Sequence, residues 1–93
     1  MPRKSHTKLM FEFVQDYLSD EMERMFFDLD FNYYLIEYYP AMARQNPDMA
    51  DCFVYYLSER GMDVSENLSD TEHKKLIHRQ WNEFQSALKD GLY

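Results

Sequence analysis

The apolar positions of the chain recur every three or four residues, which is the spacing of an α-helix with one buried face. The first such segment begins at Thr7, which we expect to cap it. Its apolar positions are Met10, Phe13, Val14, Tyr17, Leu18, Met25 and Leu29. The helix either runs on toward Phe27 or breaks near Ser19, which would then cap a second piece. The spacing leaves both alternatives open.

Residues 26–39, with the sequence FFDLDFNYYLIEYY, are predicted to form the next helix. Seven of these fourteen residues are aromatic, and aromatic residues also favour strands. However, the chain offers no second strand for pairing, so a helix is favoured. Asp30 or Asn32 would cap it, and Pro40 would end or kink it because proline lacks an N–H group. So many aromatic residues predict the central packing element of the fold, with surplus tyrosines left for contacts.

A third helix is predicted from a clear start signal, the dipeptide Asn46-Pro47, which combines an N-cap residue with proline at the first helical position. We expect this helix to end near Arg60, with Gly61 as the residue after its end. Met49, Phe53, Tyr56 and Leu57 share one face of it.

The last helix is predicted from a capping box, Ser69 to Glu72 with the sequence SDTE. We expect it to run to about Asp90, with Gly91 after it. Its buried face would contain His73, Leu76, Ile77, Gln80, Trp81, Phe84 and Leu88.

These four segments predict an all-α fold, a single compact domain of about four helices arranged as a bundle or an orthogonal array. A length of 93 residues suits one domain. We expect residues 1–6 to form a flexible basic N-terminus and residues 7–93 to form the helical domain.

Charge is distributed unevenly along the chain. Residues 12–72 contain fifteen acidic and three basic residues, a net charge of −12, whereas residues 1–11 carry +3 and residues 73–93 carry +2. Direct binding to nucleic acid or to an anionic membrane needs a positive contact surface, so this balance argues against both. It favours a protein partner with a basic surface.

A cytoplasmic location is predicted. No apolar run approaches the roughly 18 residues of a membrane span, and the positive N-terminus is not followed by the apolar region of a secretory signal. The single cysteine, Cys52, cannot form an intrachain disulfide.

One pattern begins like a calcium loop, Asp28-x-Asp30-x-Asn32. Such a loop needs glycine at its sixth position and glutamate at its twelfth, and these positions are Tyr33 and Tyr39 here. Helix capping by Asp28 or Asp30 is therefore the favoured interpretation.

No other motif indicates catalysis, a metal or a cofactor. His73 and His78 are five residues apart and point to different sides of a helix, whereas zinc-binding pairs are four apart. Cys52 follows Asp51 beside an acidic face, a setting that suits an ordinary half-buried thiol rather than a nucleophile. We therefore predict that the protein is not an enzyme and holds no metal and no cofactor.

Two groups of acidic residues are the candidate partner-binding sites. At 100° per residue, four carboxylates of the first helix fall within an arc of about 80°. On the third helix, three carboxylates and a tyrosine fall within a similar arc. The candidate residues are Glu12, Asp16, Asp20 and Glu23 in the first group and Asp48, Asp51, Tyr55 and Glu59 in the second. Like charges four residues apart destabilise a helix, so such stripes suggest a partner that needs them.

The sequence predicts a small acidic protein that binds and inhibits or regulates a basic, nucleic-acid-processing partner, and that acts as a DNA mimic. In size, charge and helical content the chain is similar to phage and mobile-element proteins that block restriction or CRISPR enzymes, and to the immunity proteins of nuclease toxins. The similarity is one of composition and is not carried by a motif. The alternative is an assembly module that forms a homodimer through the aromatic surface of residues 26–39.

Overall fold

The structure, a computed structural model, describes residues 5–90. Four α-helices occur in this range, α1 (His6–Leu18), α2 (Arg24–Gln45), α3 (Pro47–Phe53) and α4 (Asp70–Lys89). A π-helical segment (Val54–Glu59) continues α3, and a 3₁₀ turn (Met62–Val64) follows it. The described residues contain no strand, and the predicted all-α class is confirmed. The chain divides into two compact units, one ending at Gln45 and the other beginning at Asn46.

The first unit is a hairpin of α1 and α2. The Thr7 hydroxyl at the start of α1 donates to Oε1 of Gln45 at the end of α2, at 2.8 Å. At the other end of the hairpin, the ring of Tyr17 stacks on Phe27 with centroids 4.2 Å apart, and Phe13 stacks on the same ring at 5.1 Å. Aromatic stacking therefore joins the two helices at this end of the hairpin, through apolar positions that the spacing of α1 predicts.

The N-cap of α1 lies two residues before the predicted cap. Ser5 is the N-cap, and its hydroxyl accepts from the amide of Lys8 at 3.1 Å. Thr7 lies inside the helix, so its predicted capping role is wrong. The predicted flexible N-terminus, residues 1–6, falls mostly outside the described residues, and His6 already belongs to α1.

The chain breaks near Ser19, one of the two alternatives that the sequence left open. Ser19 ends α1 instead of starting a second helix. Asp20 follows with a φ of 66°, in the left-handed region. The amides of Asp20 and Glu21 donate to the carbonyls of Tyr17 and Asp16 at 3.2 and 2.9 Å. This pair of bonds is a Schellman motif, which satisfies the last carbonyl groups of α1.

The aromatic segment is helical, as predicted, but α2 is longer than its predicted bounds. It begins at Arg24, so a start at Asp30 or Asn32 is wrong, and it continues through Pro40 to Gln45. Proline removes one intrahelical hydrogen bond, and the other bonds of this 22-residue helix hold the segment together.

The second unit starts as the sequence predicts. The Asn46 side chain accepts from the amide of Met49 at 3.1 Å, and Pro47 is the first residue of α3. In the core of this unit, the Phe53 ring meets Phe84 edge-on with centroids 5.4 Å apart. The Trp81 ring lies against the Phe84 ring, with centroids 5.6 Å apart.

After Phe53 the helix widens into the π-helical segment. The amide of Arg60 donates to the carbonyl of Tyr55, five residues earlier, at 3.0 Å. The helical stretch ends at Arg60, as predicted, but Gly61 has a φ of −114° and is not left-handed. Space is what requires glycine there, since a Cβ atom would lie 2.5 Å from the carbonyl oxygen of Leu57 and 3.2 Å from Ile77.

Helix α4 matches its predicted bounds. The Ser69 hydroxyl accepts from the amide of Glu72 at 3.2 Å, and Asp90 is the C-cap. The buried side chains of α4 are His73, Ile77, Gln80, Trp81 and Phe84, all on the predicted face. Within residues 5–90, no helix combines the length and the apolar character that crossing a membrane requires.

Candidate partner-binding surfaces

The four carboxylates of the first candidate group do not lie on one helix. Glu12 and Asp16 belong to α1, but α1 ends at Leu18, so Asp20 and Glu23 lie in the connection that follows. The predicted arc assumed a continuous helix and is wrong for the last two residues. All four still lie at the surface, with Glu12 half-buried and the others exposed. Their role in binding stays a prediction.

The second candidate group divides between α3 and the π-helical segment. Asp48 and Asp51 lie on α3, and Tyr55 and Glu59 lie on the segment that continues it. Because the π-helical bonds close over five residues, α-helical spacing does not describe the angles of the last two. All four residues are exposed.

Tyr55 is not surrounded by carboxylates alone. The guanidinium of Arg60 lies 5.7 Å from the centroid of the Tyr55 ring and 5.7 Å from that of Tyr56. Its Nη1 also lies 3.8 Å from Oε2 of Glu83 on α4. This part of the second group therefore combines aromatic, basic and acidic side chains, within reach of cation–π attraction.

The acidic block, residues 12–72, carries its carboxylates at the surface throughout. Of the fifteen acidic residues between positions 12 and 72, thirteen are exposed and two, Glu12 and Asp30, are half-buried. None is buried, so the negative charge of this block faces solvent and any partner that approaches.

The exposed apolar surface of α2 is larger than the surplus tyrosines that the sequence predicts to be left for contacts. Five large apolar residues of this helix are exposed, and we call them the α2 stripe. The exposed fractions are 64% for Met25, 51% for Phe26, 73% for Leu29, 63% for Tyr33 and 76% for Ile36. More than half of each residue faces solvent, so the prediction that residues 26–39 form a central packing element holds for only part of the segment.

The stripe lies on the helix face opposite the buried one. At 100° per residue its five members fall within an arc of about 100°. The fully buried residues of α2 are Phe27, Phe31 and Met42, and they fall on the other side of the helix. One face of α2 therefore packs in the core of the first unit while the other presents apolar side chains.

Acidic side chains border the stripe on both edges. By the same helical spacing, Asp30 and Glu37 lie along one edge and Asp28 along the other. Nε of Arg24 lies 3.1 Å from Oδ2 of Asp28 and bonds to it. The only other basic residue of α2 is Arg44, about two turns beyond Ile36.

The sequence does not indicate which face of α2 is exposed, because both faces are apolar and the helix has no single amphipathic face. A signal was nevertheless present. Phe26, Leu29, Tyr33 and Ile36 are spaced by three, four and three residues, the spacing of a seam between two helices.

The calcium-like pattern forms no loop, because Asp28, Asp30 and Asn32 all lie inside α2. Capping by Asp28 or Asp30 is wrong for the same reason. Among residues 5–90, no group of three or more His, Cys, Asp or Glu side chains is arranged to hold a metal ion.

The acidities of Cys52 and Tyr38 are shifted. Burial raises the pKa of the Cys52 thiol above its ordinary value. Burial also raises the pKa of Tyr38, with further contributions from Tyr34, whose ring stacks on it at 5.4 Å, and from Glu37. Both shifts favour the neutral form of the side chain, which is the less reactive form of a thiol.

Comparisons of the chain with protein-family profiles, with curated proteins and with solved structures found no significant match.

Proposed function

We propose that the protein is a small acidic binding protein that inhibits or regulates a protein partner with a basic surface. The observation that supports this is the exposure of the acidic block, in which thirteen of fifteen carboxylate side chains face solvent. A surface of one sign repels itself and attracts the opposite sign, which speeds encounter with a basic partner and selects against acidic ones.

A nucleic-acid-processing enzyme is the class of partner that fits, because such enzymes carry positive grooves built for phosphates. Carboxylates of the two candidate groups would occupy that groove, as a DNA mimic does. In this proposal the protein acts in the cytoplasm of a cell that meets phages or mobile elements. It catalyses no reaction, needs no cofactor, and binds neither nucleic acid nor membrane directly.

Affinity capture tests the proposal. The purified protein is immobilised, exposed to a host lysate at low salt, and the retained proteins are identified by mass spectrometry. We expect the immobilised protein to retain a basic nucleic-acid-binding protein. Added duplex DNA should release that partner, since the DNA and the immobilised protein would use the same groove.

Charge variants give the matched control. Asp51→Asn with Glu59→Gln removes two charges from the second candidate group, whereas Asp63→Asn with Glu66→Gln removes two exposed charges outside it. The first pair should weaken binding of the purified partner by about tenfold, and the second pair should weaken it much less. The proposal fails if no basic partner is retained, or if DNA does not compete with the protein for it.

A further inference from the structure

We infer that the α2 stripe is the docking face for an amphipathic helix whose apolar side is bordered by basic residues. This inference rests on the proposed function and deepens it, because it specifies the part of the basic partner that the protein recognises.

The spacing of the stripe fits another helix. Leu29, Tyr33 and Ile36 follow the four- and three-residue steps of a helix–helix seam, with Phe26 one step before them. From Met25 to Ile36 the stripe extends for about 17 Å along the helix axis. That length matches three turns of a partner helix, which could insert its own apolar side chains between those of the stripe.

The exposure of the stripe is the reason to expect an occupant. Leu29 and Ile36 are 73% and 76% exposed, and they lie in one row with three other large apolar residues. Single exposed apolar residues are common on protein surfaces, but a contiguous row of them marks an interaction site.

The charges at its edges specify the chemistry of that occupant. Asp30 and Glu37 border one edge, whereas at the other edge Asp28 pairs with Arg24, which offsets its charge. A second copy of the chain, packed antiparallel, would bring the edge of Asp30 and Glu37 against the same edge of its partner, which opposes pairing. A helix with lysine or arginine beside its apolar face would meet opposite charge along the edge that Asp30 and Glu37 form.

A designed peptide provides a direct test with the full chain. The probe is a labelled helix of about 21 residues with leucine and isoleucine at the seam positions of three heptads and lysine at the flanking positions. A second peptide carries glutamate in place of each lysine. Fluorescence anisotropy should show binding of the lysine peptide that weakens as salt is added, and no binding of the glutamate peptide.

Two pairs of variants separate the stripe from its edges. Leu29→Ala with Ile36→Ala should weaken binding of the lysine peptide by about tenfold or more. Val64→Ala, which truncates a residue that is 61% exposed outside the stripe, should leave binding unchanged. Asp30→Asn with Glu37→Gln should weaken binding severalfold and reduce its salt dependence, whereas Asp63→Asn with Glu66→Gln should not.

Folding does not confound these variants. Leu29 and Ile36 are solvent-exposed positions of a long helix, and alanine has the highest helix propensity. Circular dichroism of each variant should match that of the unchanged protein.

Several results would overturn the inference. It is wrong if both peptides bind equally, if the lysine peptide does not bind, or if the alanine pair binds it as well as the unchanged protein does. It is also wrong if sedimentation shows a dimer that the alanine pair dissociates, because the stripe would then bind its own copy.

The captured partner distinguishes this inference from the proposed function. If Asp51→Asn with Glu59→Gln weakens binding of that partner and the alanine pair does not, the docking face is wrong and the proposed function stands. If the lysine peptide binds through the stripe but the host holds no basic partner, the docking face stands and the proposed function is wrong.

Discussion

Asp20 has the one positive φ of a non-glycine residue in the described chain, 66°. It occupies the position after the end of α1 where glycine is usual, because left-handed backbone places Cβ close to the carbonyl oxygen in other residues. Aspartate tolerates this conformation better than most residues. The turn that ends α1 and separates Asp20 from the helix therefore depends on one backbone conformation.

Glycine and alanine substitutions test this conformation. Asp20→Gly and Asp20→Ala remove the same side chain, so their difference reports the backbone alone. We expect the free energy of unfolding of Asp20→Gly to be higher than that of Asp20→Ala by about 0.5–1 kcal/mol. At Asp16, inside α1, the order should reverse, with alanine more stable by about 1 kcal/mol. Urea unfolding measures the free energy of unfolding of all four variants. The same order of glycine and alanine at both positions would contradict the left-handed backbone at Asp20.

Cys52 provides a second test at the scale of the residue. Burial raises its pKa, so less of it is thiolate at neutral pH than in an exposed cysteine. Its alkylation by iodoacetamide should therefore be slower than that of a free cysteine peptide. The alkylation rate of Cys52 should continue to rise with pH after the alkylation rate of the peptide has reached its plateau. The same shift stabilises the folded state below the ordinary thiol pKa, and that contribution is lost as pH rises through the folded-state value. A plateau at the same pH as the peptide would contradict the shift.

At the scale of the element, the predicted starts of α3 and α4 are confirmed, whereas α1 is capped by Ser5 and not by the predicted Thr7. Asn46 and Ser69 each accept a bond from an amide three residues on, and both starts are where the sequence places them. The start of α2 has no such signal. There the carbonyl of Glu23 accepts the first helical bond, from Phe27 at 3.1 Å, and glutamate is not a favoured cap residue.

The candidate site was predictable only as a composition. The sequence correctly shows that the block is rich in carboxylates, but their arrangement depends on where helices end and how they wind. The turn at Asp20 and the π-helical winding after Phe53 both alter the predicted faces. Leu29 continues the apolar spacing of the first segment, but it lies on α2 and not on α1. Its exposure was therefore not predictable from that spacing.

Two prolines in contrasting positions provide a test of α2. Pro40 lies in the helix interior and is exposed, so Pro40→Ala restores a missing N–H group. This variant should raise the free energy of unfolding by about 1–3 kcal/mol. Pro47→Ala is the matched control, since proline suits the first position of α3 and its loss should give no gain. Equal changes in the free energy of unfolding for the two substitutions would contradict the claim that Pro40 destabilises the interior of α2.

At the scale of the whole molecule, repulsion among the carboxylates opposes the compact state. The chain carries a net charge of −7, and the block between positions 12 and 72 carries −12. Neighbouring carboxylates of the block lie at the surface, where dissolved salt screens them effectively.

Salt should therefore stabilise the protein. Between about 0.01 and 0.15 M sodium chloride the Debye length falls from about 30 to about 8 Å. We expect the midpoint of thermal unfolding to rise by roughly 2–5 °C over this range, a shift that corresponds to less than about 1 kcal/mol. Circular dichroism during heating measures it. Asp51→Asn with Glu59→Gln should show a smaller rise, and a midpoint that is independent of salt would contradict the argument.

The α2 stripe also has a consequence for how the purified protein can be handled. At neutral pH the carboxylates beside Leu29 and Ile36 keep two such surfaces apart in concentrated samples. Acidification lowers the net negative charge of the chain and so removes that protection, whereas it leaves the apolar side chains unchanged. Stock solutions should therefore turn cloudy on mild acidification, and crystallisation trials at low pH should yield precipitate unless a ligand covers the stripe.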